Sequence, residues 1–133
     1  MSQSFSRISR CTAFLAVLLT LAAAPANAQH RLCDPGAEDC RQILLEHIRA
    51  ETVGLDVAFW FMEDSWVAGE IIARWRAGVP VRILMDTDAN VTNVLNRERL
   101  AELQAAGIPM REKVSSGIMH WKAMIFAGLC MYT

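Results

Sequence analysis

A chain of 133 residues has room for one small domain with a single core. Its formal net charge of −1 excludes the broad basic surface that carries wholesale nucleic-acid binding. Hydrophobic residues reach 53%, but the first 28 residues inflate that figure, so it does not argue for a membrane protein.

Those 28 residues come first in chain order. Arg7 and Arg10 precede the apolar run CTAFLAVLLTLAAA, and PANA then offers small residues at Ala26 and Ala28. This is the three-part grammar of a secretory signal peptide, cleaved before Gln29. The apolar run is too short to span a bilayer, which disfavours the alternative of an uncleaved anchor. Cys11 precedes the run and is not placed as a lipid-attachment cysteine would be. Cleavage leaves 105 residues, with 11 basic against 14 acidic side chains and a net charge of −3. The expectation is one exported domain over residues 29–133, periplasmic or secreted, with no stable membrane span.

Cys33 and Cys40 flank the turn-forming stretch DPGAED. In an oxidising compartment they read as a small disulfide loop tying the mature N-terminus to the first helix. The rival reading is half a metal site, but no second Cys or His pair with ligand spacing follows. Cys130 is left over. EDCRQILLEHIRAE then places Ile43, Leu44, His47 and Ile48 on one face of an amphipathic helix. VGLDVAFWF, β-branched and aromatic, is a buried strand. DSWVAGEIIARWRAG is a second helix, capped by Asp64 or Ser65 and stopped by Gly78. VPVRILMD is a second strand, and TNVLNRERLAELQAAG a third helix stopped by Gly107. IPMREK is a short third strand, SSG a turn, and IMHWKAMIF a fourth strand.

This alternation predicts an α/β domain with a mainly parallel sheet flanked by helices. Apolar runs without alternation predict central strands covered on both faces. Ligands collect at the C-terminal strand ends of such sheets, where Glu63, Asp64, Asp86 and Asp88 fall.

His120 and Lys122 stand two apart, and on a strand such residues share a face, with Trp121 on the other. An imidazole attacks phosphorus well, and a lysine holds the phosphate oxygens and the charge that develops on them. The triplet by itself is common, and its bland alternative is a strand edge with a snorkelling lysine. A competing constellation is Asp86 and Asp88 in RILMDTDAN, two carboxylates on one face that suit a magnesium ion and an acyl-phosphate. It resembles the haloacid-dehalogenase-type phosphatase motif over about five residues, with Asn90 where that motif has Thr or Val; a polar loop leaving a strand is the simpler account. Phe59, Trp60, Phe61, Trp66 and Trp75 suit a lipid or base pocket, but aromatics at this spacing more often build a core. His47 reads as a core or boundary residue, His30 as part of a frayed N-terminus, and Ser115 and Ser116 as turn residues.

HWKAMIF, placed after an α/β unit of this order, resembles the phospholipase D superfamily, whose signature is His-x-Lys followed by four residues and Asp. The likeness extends through CRQILLEHIRAETVGLDVAFWFMED, IIARWRAGVPVRILMD and LQAAGIPMREK, and covers about residues 32 to 127. It implies that His120 attacks phosphorus or serves as the general acid, and that Lys122 binds the phosphate. A second imidazole from another motif copy protonates the leaving alcohol, and water releases the monoester without a metal or cofactor. The sequence departs from the pattern in two ways. Ala127 stands where the motif has Asp, and Thr133 ends the chain before the next strand of the family can form. With one motif copy, the resemblance implies half a site per chain, the N-terminal half of a domain from a truncated or frame-shifted gene. The expected function is a phosphodiester hydrolase acting on a phospholipid or nucleic acid, impaired by truncation and completed by a homodimer or a second half-domain. The alternatives are a non-catalytic remnant or interaction module completed by a partner chain, and, less favoured, a magnesium-dependent Asp-x-Asp phosphatase.

Overall fold

The computed structural model describes residues 31–114, 116–127 and 129–132. The signal peptide expected over 1–28, Cys11, His30 and Ser115 therefore lie outside the described residues.

The chain alternates as α1 (Cys40–Ala50), β1 (Leu55–Phe59), α2 (Ser65–Arg76), β2 (Val81–Asp86), α3 (Thr87–Thr92), α4 (Val94–Ala105), β3 (Met110–Lys113), β4 (Lys122–Phe126) and β5 (Leu129–Tyr132). Each long helix begins on an amide or carboxylate that accepts from the first-turn N–H groups. Asp39 takes Gln42 N, Asp64 takes Trp66 N and Val67 N, and Asn93 takes Asn96 N. Two helices end alike. Gly78 (φ 87°) and Gly107 (φ 81°) take the left-handed turn that releases the chain into the next strand. At each, the glycine N–H and the one after it close onto carbonyls of the last helical turn.

The sheet order is β3-β2-β1-β4-β5. β1, β2 and β3 run parallel, as the helical crossovers require. β4 returns antiparallel beside β1, with Phe59 opposite Lys122 and Leu55 opposite Phe126. β5 then pairs antiparallel with β4. The tail after Phe126 thus does form a strand, contrary to the expectation that the chain ends before another strand can form. Ala127 supplies the left-handed turn residue at φ 44°.

One sheet face carries the core. Leu44, Leu45 and Ile48 of α1, Val67, Ala68 and Ile71 of α2, and Leu100 and Leu103 of α4 pack on Leu55, Val57, Phe59, Val81, Ile83, Met85, Met124 and Phe126. Leu45, not His47, completes the buried stripe of α1. His47 is exposed, its ring 5.9 Å from that of Phe126. The expectation of strands covered on both faces also needs correction. Arg82, Leu84 and Ile125 are exposed on the opposite face, and Arg82 there forms a two-pronged bond to Asp56, both at 2.6 Å. A guanidinium fork of that kind is stable in water and costly under a helix, so this face stays open among the described residues.

The Cys33–Cys40 disulfide is formed and joins the N-terminal turn to the first residue of α1. Replacing both cysteines by Ser is expected to lower stability by about 2 kcal/mol, the scale for so short a loop. Urea unfolding of the oxidised wild type against the double variant measures it.

Candidate functional site

Because β1 and β2 are parallel and β4 antiparallel to β1, the ends of β1 and β2 and the start of β4 meet at one edge of the sheet. There the chain places Trp60, Asp86, His120 and Lys122. Lys122 opposes Phe59 and shares the core side of β4 with Met124 and Phe126. It is the outermost of the three, so its stem lies on the core rim while its ammonium reaches outward, and the side chain is half-buried. His120 lies before the strand rather than in it, since β4 begins at Lys122, and it is exposed.

Lys122 Nζ lies 3.4 Å from His120 Nε2. An ammonium has donors only, so this contact is a hydrogen bond in the tautomer that keeps the lone pair on Nε2 and the proton on Nδ1. Trp60 flanks both. Its ring centroid is 4.3 Å from the His120 ring and 5.3 Å from Lys122 Nζ, and Phe61 stacks on it at 4.2 Å. The aromatic residues therefore divide. Phe59 is core, and Trp75 packs against the core with its Nε1 donating to Ala106 O at 2.9 Å. Trp66 is exposed beneath the Arg41 guanidinium, at the start of α2. Trp60 and Phe61 are half-buried at the site. Sequence pattern alone did not separate these roles, because it depends on the β1–β4 register.

Asp86 is the residue whose role the structure changes. The chain enters α3 directly after it, so Asp86 and Asp88 do not form an outward pair on one face. Asp86 is buried at 2% exposure, while Asp88 is exposed in the first turn of α3. Oδ1 of Asp86 accepts from Asp88 N and Ala89 N at 3.0 and 3.2 Å, and Oδ2 accepts from Met119 N at 2.5 Å. Met119 immediately precedes His120, so this carboxylate anchors the segment that carries the imidazole. Opposite Asp86 in the β2–β3 register stands Lys113, whose ammonium donates to Gly117 O and Ser116 O in the same segment. Ser116 thus lies in the loop it was expected to occupy. The other carboxylates are structural too. Asp64 caps α2 and pairs with Arg41 at 2.6 Å, and Glu63 accepts from the Asn93 side chain. Asn96, fully buried, accepts from Met62 N at 2.7 Å and fixes the segment after β1.

The family model described as cardiolipin synthase, phospholipase D-like domain, matches residues 44–133. Among solved structures, the chain is similar to Nuc of Salmonella typhimurium, a phospholipase D family member. The TM-score is 0.62 at 22% identity, over 65% of this chain and 57% of that one. It is also similar to NucT from Helicobacter pylori, with a TM-score of 0.51 at 18% identity, over 65% of this chain and 58% of that one. The chain thus spans somewhat more than half the length of these proteins. Comparison with curated protein sequences finds no match.

The Asp86 carboxyl is held below the usual carboxylate range, first by the Met119 N–H, against burial, and further by Ala89, Asp88 and the charge of Lys113. A depressed folded pKa gives stability that is complete above the unfolded value of about 4 and is lost as pH falls through the folded value. Asp86→Asn is expected to cost about 2–3 kcal/mol at pH 7 and to flatten the acid limb of stability. Urea unfolding between pH 7 and pH 2 reads both.

Proposed function

Because the chain belongs to the phospholipase D-like domain family, we propose that it is a phosphodiester hydrolase whose own share of the active site is His120 and Lys122. The observation that carries the reading is the 3.4 Å approach of Lys122 Nζ to His120 Nε2 at the strand-end edge of the sheet. In the tautomer with the proton on Nδ1, Nε2 holds the lone pair, and the adjacent ammonium marks where a phosphate oxygen would bind.

In the proposed reaction, Lys122 exchanges the imidazole for a non-bridging phosphate oxygen. The freed Nε2 attacks phosphorus as the bond to the leaving oxygen breaks, and a second imidazole gives that oxygen its proton. That imidazole, now neutral, takes a proton from water as the water oxygen attacks phosphorus. The N–P bond breaks, a phosphate monoester leaves and His120 is restored. The sequence carries one His-x-Lys, so the second imidazole comes from a second copy of the chain or from a second half-domain. Either copy's His120 then serves as nucleophile and the other as acid, and a lone chain is impaired. Val114, Ile118 and Trp121, all in the segment around His120, are exposed and supply apolar surface for such a contact. The substrate is a phosphodiester, of a phospholipid or a nucleic acid. The disulfide and the signal-like residues 1–28 support export of a domain over 29–133 to the periplasm or the medium. No helix among the described residues is long and apolar enough to cross a membrane.

A second reading, a non-catalytic interaction module, rests on β5. It is the last strand of the sheet, so its outer edge is unpaired among the described residues and open to strand addition.

Hydrolysis of bis(p-nitrophenyl) phosphate separates the readings, with the oligomer measured by light scattering. The expected result is activity in the self-associated fraction that survives EDTA and falls about a thousandfold or more in His120→Ala. Activity that needs magnesium and depends on Asp86 instead would point to the phosphatase chemistry. Inactivity of wild type in every oligomeric state would leave the interaction module.

A further inference from the structure

We propose that Trp60 is the positioning residue of this site, the aromatic platform on which His120 and Lys122 are held together. The inference rests on the reading of that pair as the phosphate site and adds a residue that neither the motif nor its spacing contains.

The placement arises where the β1–β4 ladder ends. Phe59 opposes Lys122, and the ladder runs one step further, with Trp60 N donating to Trp121 O at 2.7 Å. Regular alternation would turn a residue opposite Trp121 away from Lys122, but Trp60 follows the last residue of β1 and His120 precedes the first of β4, and outside the strands the indole is free to lie against both groups. The indole does so, at 4.3 Å from the imidazole ring and 5.3 Å from the ammonium. Phe61 braces it at 4.2 Å with an interplanar angle of 29°. The imidazole is tilted by 54° to the indole, an arrangement that favours ring contact while leaving Nε2 toward Lys122. The negative ring face attracts the ammonium, which holds it on the side of the imidazole where phosphate must arrive. His120 lies outside the regular strand, so the ladder alone does not fix its ring. The Met119 N–H to Asp86 fixes its backbone and Trp60 fixes its side chain.

Inorganic tungstate, a tetrahedral oxyanion, is the probe, its binding followed by calorimetry on the full chain. Wild type is expected to bind and Lys122→Ala to lose binding. Trp60→Leu, which removes the π face, is expected to weaken tungstate about fivefold or more. Trp60→Phe keeps an aromatic face and is expected to stay within about twofold of wild type. Trp66→Phe, at the exposed start of α2, serves as the control and is expected to be unchanged. A folded Trp60→Leu that binds tungstate as wild type does overturns the proposal and leaves the phosphate-site reading standing. Wild type that fails to bind, or binding indifferent to Lys122→Ala, overturns that reading and the proposal with it. Proton NMR covers the case in which Trp60→Leu does not fold. The His120 ring resonances, assigned by their loss in His120→Ala, are expected to be ring-current shifted in wild type and to move in Trp60→Phe. Unshifted resonances would sink the proposal.

Discussion

The site depends on one buried carboxylate. Asp86 closes β2, starts α3 and binds the backbone one residue before His120, so three pieces of chain converge on two oxygen atoms. Such a group is stable only when its charge is answered on every side. Three backbone N–H groups and the charge of Lys113 provide that answer. The consequence is geometric. The loop between β3 and β4 is long enough to wander, yet its last turn is pinned where the strand ends meet.

The sheet supplies the other half of the placement. Parallel strands send their C-terminal ends to one edge, and an antiparallel β4 brings its N-terminal end to the same edge. A fourth strand running parallel would have carried His120 and Lys122 to the opposite edge, far from Trp60 and Asp86. The reversal of β4 is therefore what assembles the site. Helices on one face bury the core that makes this edge rigid. The other face, with its Asp56–Arg82 fork and exposed Leu84 and Ile125, is open among the described residues.

Much of this was legible beforehand. Capping residues and glycines marked the long helices closely, since Asp64, Gly78 and Gly107 act through local hydrogen bonds and backbone torsion that need no tertiary partner. The Cys33–Cys40 pairing was legible because the six turn-forming residues between them bring the thiols together by themselves. Three features were misread. Asp86 and Asp88 were read as two carboxylates on one face or, more simply, as a polar loop leaving a strand, whereas a short helix begins after Asp86. His47 looked buried because helical periodicity does not say where a stripe ends, and Leu45 took the inner position. The strand after Ala127 was missed because a non-glycine residue in a left-handed turn leaves no mark in composition.

What the sequence by itself determined is the alternation of elements, their caps and stops, the disulfide and the pairing of an imidazole with an ammonium two residues away. These are local matters, set by torsion, periodicity and short loops. Tertiary structure alone decided the direction of β4, the burial of Asp86, the openness of one sheet face and the meeting of Trp60 with His120 and Lys122. Each of these joins residues at least thirty positions apart or depends on which side of a strand the core lies. Such outcomes follow from the register of whole elements, where the burial of many side chains at once outweighs the preference of any one of them.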